Sequence, residues 1–264
     1  MDVPVLAYHK ISNKLEWGIT VVPVRAFAYQ MRFLFNHGYQ SISLAQYLTL
    51  PYSDDARKRR FVLTFDDADE SVWLNAYPIL KAYHFTATVF VISSYVGQKS
   101  SWDANLGGIY SKHLNWQQLL ELQAAGWEIG SHSATHPDLV RLSDGELRTE
   151  LETSKAVLEE KLGHPVHFLA YPFNRADERV ISMASALKYH GGCSMISSPQ
   201  LRIKWPTFCI QRHGVYAIDT PASFCRKLRQ SSIERLKQQA ISFAARGTIW
   251  YQQFRNKKNI LHFK

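Results

Sequence analysis

Two short stretches of this 264-residue chain carry side chains that could do chemistry together. Phe61-Val62-Leu63-Thr64-Phe65 is an apolar, β-favouring run that ends in two adjacent carboxylates, Asp66 and Asp67. Such a run reads as a buried strand, which puts both acids at its C-terminal end. Adjacent carboxylates repel, so a nearby cation is the simplest way to keep both ionised. One could hold a metal ion while the other moves protons; a solvated strand-end turn is the alternative for the pair alone. The second stretch, Gly130-Ser131-His132-Ser133-Ala134-Thr135-His136-Pro137, has two imidazoles four residues apart. Pro137 disfavours α geometry at His136, so a strand end turning into a loop fits better than a helix. A metalloprotease motif of this spacing carries Glu after the first His. Here Ser133 stands there, so a base must come from elsewhere. Taken alone, the two histidines fit a structural role as readily as metal ligation. Together, two His and one Asp make a three-ligand set with a position left open for water or substrate, the layout of a hydrolytic zinc-type site. The spare Asp sits next door to accept a proton.

These residues need a scaffold that brings them together. Strands are expected at 3–8, 39–43, 61–65, 85–92, 127–130, 167–170, 189–195 and 206–210. Helices are expected at 25–36, 44–50, 69–83, 115–125, 143–162 (opened by a Ser143/Glu146 capping pattern) and 177–188, with one or two more over 220–245. Residues 93–113 form a long glycine-containing loop, and loops of that length are often functional. The alternation implies a mostly parallel sheet with helices outside, a barrel or a doubly wound sheet. His9, Asp66-Asp67, His132, Asn174 and Arg212-His213 each follow a strand's C-terminal end. In a parallel barrel those ends share one face.

Composition sets broader bounds. The length fits a single domain, 1–264, with a basic, aromatic tail at about 246–264. Three widely spaced cysteines, Cys193, Cys209 and Cys225, argue against a disulfide framework and a cysteine-rich zinc site. No apolar run is long enough to span a bilayer. Met1–Leu6 lacks a basic n-region and a cleavage site, so the expectation is a cytoplasmic protein. The formal charge of +9 would attract nucleic acid, anionic lipid or acidic glycans. No nucleic-acid-binding motif accompanies it, so no nucleic-acid partner is expected. The basic and aromatic stretch 224–255 reads either as a barrel-closing helix with a solvated face or as a peripheral contact with an anionic membrane, at its inner face.

Thr64-Phe65-Asp66-Asp67, then Ser131-His132-Ser133-Ala134-Thr135-His136-Pro137, then Tyr171-Pro172-Phe173, resemble in this order the NodB-type polysaccharide deacetylases, carbohydrate esterase family 4. The resemblance spans roughly His9 to Arg212. The opening Val3-Pro4-Val5-Leu6-Ala7-Tyr8-His9-Lys10-Ile11 looks like the branch that contains the poly-N-acetylglucosamine deacetylases. The resemblance implies a distorted (β/α) barrel and hydrolysis of N-acetyl, less often O-acetyl, groups on an acetylated glycan. It implies Asp66 as catalytic base, Asp67, His132 and His136 as metal ligands, and the Phe173 backbone N–H as the oxyanion donor.

The chain also departs from the family's pattern. Ala170 stands where many members carry an Arg that positions the base. Asn174 stands in place of a frequent Gly. The late Leu-x-His motif, which supplies a general acid, has no clean match; His213 in Gln211-Arg212-His213, His9 on the first strand and His262 in Ile260-Leu261-His262 are the candidates. Trp102, in the long loop, reads either as a stacking surface for a sugar ring or as a core residue. Tyr171, Asn174 and Arg212 are the other candidate substrate contacts. Zn2+ is the metal expected from the ligand set, with Co2+ or Ni2+ as alternatives. A glycan-binding protein of the same fold without turnover is the second reading.

Overall fold

Short β-branched and aromatic runs, apolar on both faces, build a sheet that is covered on both sides. The computed structural model describes residues 3–14, 18–51, 53–100, 111–195 and 198–244. Eight of the sheet's nine described strands form one continuous path (the ninth, Gln40–Ser41, pairs beside Arg60–Phe65): β1 Val5–Tyr8, β2 Arg60–Phe65, β3 Thr88–Val91, β4 Glu128–Ser131, β5 Phe168–Ala170, β6 Gly191–Ser194, β7 Ile210–Gln211 and β8 His213–Gly214. Their order is β7-β6-β5-β4-β3-β2-β1-β8, and every neighbouring pair is parallel. The two outermost strands are separated in sequence by Arg212 alone. β7 pairs with β6 and β8 with β1, so one stretch of chain bonds to both edges and nearly closes the sheet into a barrel. This is the expected distorted (β/α) barrel.

Alternation along each strand decides what faces inward. On β2, Phe61, Leu63 and Phe65 pack in a large cluster beneath the helices. Val62 joins Val5, Phe90, Phe168, Ala170, Cys193 and Ile210 in a second cluster on the opposite face. Thr64 and Asp66 continue the Val62 side, so the first carboxylate points into the barrel mouth. Helix Asp144–Leu162 starts at the Ser143/Glu146 capping box and stops at Gly163 with φ 67°. It buries Leu147, Leu151, Leu158 and Leu162 on one face, each worth roughly 1.5–3 kcal/mol.

Several boundaries differ from the sequence expectation. The 69–83 helix is a π-helical turn, Val72–Ala76, followed by an α-helix, Tyr77–Ala82. Pro78 has no N–H for Leu74, and the wider turn absorbs that loss. The strand expected at 206–210 begins instead as a 3-10 turn, Pro206–Phe208, because proline favours a first helical turn and cannot donate to a ladder. Residues 220–245, by contrast, hold two helices as the expectation allowed, Pro221–Leu228 and Ser232–Ala244, with Gln230 between them at φ 53°. Helix Pro199–Lys204 was not anticipated. Trp102 and the 246–264 tail lie outside the described residues. Among the described residues, no helix is long and apolar enough to cross a membrane.

Tyr171 is buried, and its hydroxyl donates to Phe208 O at 3.0 Å. A Cβ on Gly192 would lie 2.1 Å from that hydroxyl. Gly192→Ala should therefore displace Tyr171 and lower stability by about 1–3 kcal/mol. Urea denaturation checks this; an unchanged midpoint would contradict the packing described.

Candidate metal and acid–base site

Asp66 is buried at the end of β2, where an isolated carboxylate would be driven neutral. Arg212, fully buried, grips it with both arms: Nη1 donates to Oδ1 at 2.6 Å and Nη2 to Oδ2 at 2.8 Å. Nη1 also donates to Thr64 Oγ1 at 3.1 Å, and the guanidinium lies 5.4 Å from the centre of the Phe90 ring. Burial pushes the Asp66 pKa up, but Arg212, His132 and His9 outweigh it and hold the carboxyl below its ordinary value. Asp66 is thus poised as an ionised acceptor.

Asp67 turns the other way because its backbone is left-handed, φ 68°, as is that of Ala68, φ 52°. Such geometry costs roughly 1–2 kcal/mol per residue. His113 Nδ1–H donates to Asp67 O at 2.6 Å, and Leu114 N–H to Ala68 O at 2.8 Å, which fixes the turn. Asp67 Oδ1 then lies 3.5 Å from His132 Nε2 and 3.8 Å from His136 Nε2. These three donor atoms all lie within 4.8 Å of one another. Bonds of about 2.0–2.1 Å to a tetrahedral ion require donors roughly 3.3 Å apart, close to the two separations from Asp67 Oδ1. Asp67 Oδ1 is buried without a hydrogen bond, as a ligand atom awaiting a cation would be. His132 Nδ1–H donates to Ala170 O at 2.8 Å, which turns Nε2 towards Asp67; burial lowers the His132 pKa, but Asp67 and Asp66 outweigh it and raise the imidazole above its ordinary value. Burial, with His132 beside it, lowers the His136 pKa to about 3, so this imidazole is neutral and ready to ligate.

The remaining predicted residues divide sharply. His9 Nε2 sits 4.0 Å from Asp66 Oδ2 and is partly exposed, so the first strand does deliver an imidazole to the site. The Phe173 ring packs edge-on to His136, centroids 4.7 Å apart, with its backbone at φ 56°. Arg212 is not a substrate contact: it is enclosed against Asp66, the positioning role the sequence offered no Arg for at Ala170. His213 is not at the site either. Strand alternation turns it away from Arg212's side, and its pKa falls to about 4 through burial and the positive charges of Lys227 and Arg235 on the two C-terminal helices. Tyr171 is buried against Phe208 and offers a substrate nothing. Asn174 commits Oδ1 to Met195 N–H at 3.1 Å and pins the turn after Phe173.

Sequence reasoning missed Arg212 as the partner of Asp66, because the two lie 146 positions apart and only barrel closure joins them. It also missed His113, whose lone position before an amphipathic helix carries no motif. Replacing Arg212 tests the pairing. Arg212→Met should cost about 3–5 kcal/mol at neutral pH by leaving a buried charge unpaired. Asp66 has a depressed folded pKa, so its stabilisation is present above the ordinary carboxylate pKa and is lost as pH falls towards the folded value. The deficit of the variant should therefore shrink between pH 7 and pH 4; a pH-independent deficit in urea denaturation would contradict it.

Comparison with known proteins gives this geometry a family. Residues 53–192, just over half of the chain, match the polysaccharide deacetylase family. Bacillus subtilis YxkH, whose name assigns it provisionally to the polysaccharide deacetylases, is 29% identical over 193 residues, 72% of this chain and 63% of its own. The poly-β-1,6-N-acetyl-D-glucosamine N-deacetylase of Staphylococcus epidermidis is 31% identical over 151 residues, 56% of this chain and 49% of its own. The chain thus spans only part of the length of these curated relatives. The Streptococcus pyogenes deacetylase PplD, solved with acetate, superposes with a TM-score of 0.71 at 24% identity, over 86% of this chain and 98% of that one. Polysaccharide deacetylase BC0361 from Bacillus cereus gives 0.70 at 23%, over 86% and 69%. These structural likenesses establish the shared fold, and the match over 53–192 establishes that the chain belongs to the polysaccharide deacetylase family.

Proposed function

We propose that the chain is a metal-dependent hydrolase that removes N-acetyl groups from an amino-sugar polysaccharide or glycan and releases acetate. The observation that carries this is an ionised, Arg-clamped Asp66 directly beside the Asp67–His132–His136 donor set. The Staphylococcus relatives named for poly-β-1,6-N-acetyl-D-glucosamine favour an N-acetylglucosamine polymer as substrate. Zn2+ suits one carboxylate and two imidazoles best, with Co2+ and Ni2+ as alternatives.

A divalent cation held by Asp67, His132 and His136 supplies Lewis acidity and makes a water molecule easier to deprotonate. Asp66 accepts the proton from the water that attacks the acetyl carbon, and Arg212 keeps its carboxylate charged and oriented for that task. The Phe173 backbone N–H faces the oxyanion as the tetrahedral centre forms, where a fixed donor gains most. His9, across Asp66 and open to solvent on one side, gives a proton to the sugar nitrogen as the C–N bond breaks. Acetate and a free amine leave.

Two experiments test the reading. Chelation should abolish acetate release from N-acetylglucosamine oligomers, and Zn2+ should restore it; activity that survives chelation would count against the site. Asp66→Asn should lower kcat by about a hundred- to ten-thousand-fold while Zn2+ stoichiometry is kept. Glycan binding by the wild type with no acetate released would favour the non-catalytic alternative.

A further inference from the structure

Every backbone N–H from His132 to His136 has an identifiable acceptor. His132 N–H donates to Val91 O at 2.8 Å, within reach of the sheet. Ser133 N–H donates to Ser131 Oγ at 3.2 Å, and His136 N–H to Ser133 Oγ at 3.0 Å. The two between them, Ala134 N–H and Thr135 N–H, both donate to Glu150 Oε2 at 2.9 Å. Thr135 Oγ1–H donates to Glu150 Oε1 at 2.6 Å. One carboxylate thus gathers three donors from the segment that joins the two imidazoles.

That segment is strained. Ser133 and His136 are both left-handed, with φ 64° and 60°, a geometry that non-glycine residues hold only when their surroundings impose it. Glu150 belongs to the Asp144–Leu162 helix, which is anchored in the core by Leu147 and Leu151 on either side of it. Its hydrogen bonds are charge-assisted, roughly twice the strength of neutral ones. The helix contributes no ligand of its own, yet it holds the loop that sets the spacing of His132 Nε2 and His136 Nε2.

We propose that Glu150 is a positioning residue for the metal centre, tying the His132–His136 loop to a fixed helix so that both imidazoles meet one cation. This rests on the metal-centre reading above. Without Glu150, the Ala134 and Thr135 N–H groups turn to water, the left-handed residues relax, and the two nitrogens are no longer held at a common point.

The test is Zn2+ affinity, measured by competition with a chelating dye on the full chain, with Asp67→Asn as reference. Glu150→Ala should weaken Zn2+ binding by about 10–100-fold while near-ultraviolet circular dichroism stays native. Glu150→Gln keeps one oxygen for the two N–H groups and should recover most of the affinity. The Co2+-substituted Glu150→Ala protein should show an altered ligand-field spectrum, which a purely structural role would leave unchanged. Wild-type affinity in folded Glu150→Ala overturns the proposal. Should that variant not fold, Thr135→Val removes only the hydroxyl bond: a loss of about two- to tenfold supports the role and an unchanged affinity overturns it. Absent Zn2+ uptake by the wild type, or undiminished uptake by Asp67→Asn, overturns the metal-centre reading instead, and Glu150's role with it.

Discussion

The site depends on a single buried ion pair, Asp66 with Arg212. A carboxylate and a guanidinium taken out of water each lose several kcal/mol of hydration, and only close, two-point contact offsets that loss. The 2.6 and 2.8 Å bonds provide it. Arg212 is also the residue at which the barrel closes, between the strand that meets β6 and the strand that meets β1. Gln238 of the last described helix holds this segment, donating to Arg212 O at 3.0 Å and accepting from Gly214 N–H at 3.3 Å. Closure of the fold and ionisation of Asp66 are therefore one structural event.

Around that pair the backbone is held under strain. Ten described non-glycine residues have positive φ, and six of them, Asp67, Ala68, Ser133, His136, Phe173 and Asn174, lie in the three loops of the site. The strain separates functions. It turns Asp67 away from Asp66, so that one carboxylate faces the arginine and its neighbour faces two imidazoles. Side-chain acceptors and donors, those of Ser131, His113 and Asn174 among them, stabilise each turn.

Much of this was legible in the sequence. The apolar run before Asp66-Asp67 and the Pro137 that forbids a helix at His136 both reported local geometry correctly. Strand–helix alternation gave a parallel sheet with helices outside, the family resemblance narrowed it to a barrel, and strand ends gave the face on which the groups gather. Long-range pairing was not legible. Arg212 and His213 are adjacent, and nothing local says which side of the strand enters the barrel; register with β1 and β6 decides it. Tyr171 looked like a substrate contact because its motif lies at the site, yet a glycine at 192 admits its ring into the core. Ala170 suggested that the base had no arginine, when the guanidinium simply comes from another strand.

The central claim is that Asp66 acts as the base because Arg212 holds it ionised. The most direct measurement is the acid limb of the pH profile of kcat/KM for acetate release by the Zn2+-loaded enzyme, compared with Arg212→Met. In the wild type Arg212, together with His132 and His9, outweighs burial, so activity should persist to low pH; in the variant burial is unopposed by the guanidinium, and the limb should move to higher pH. An acid limb at the same pH in both proteins would contradict the account.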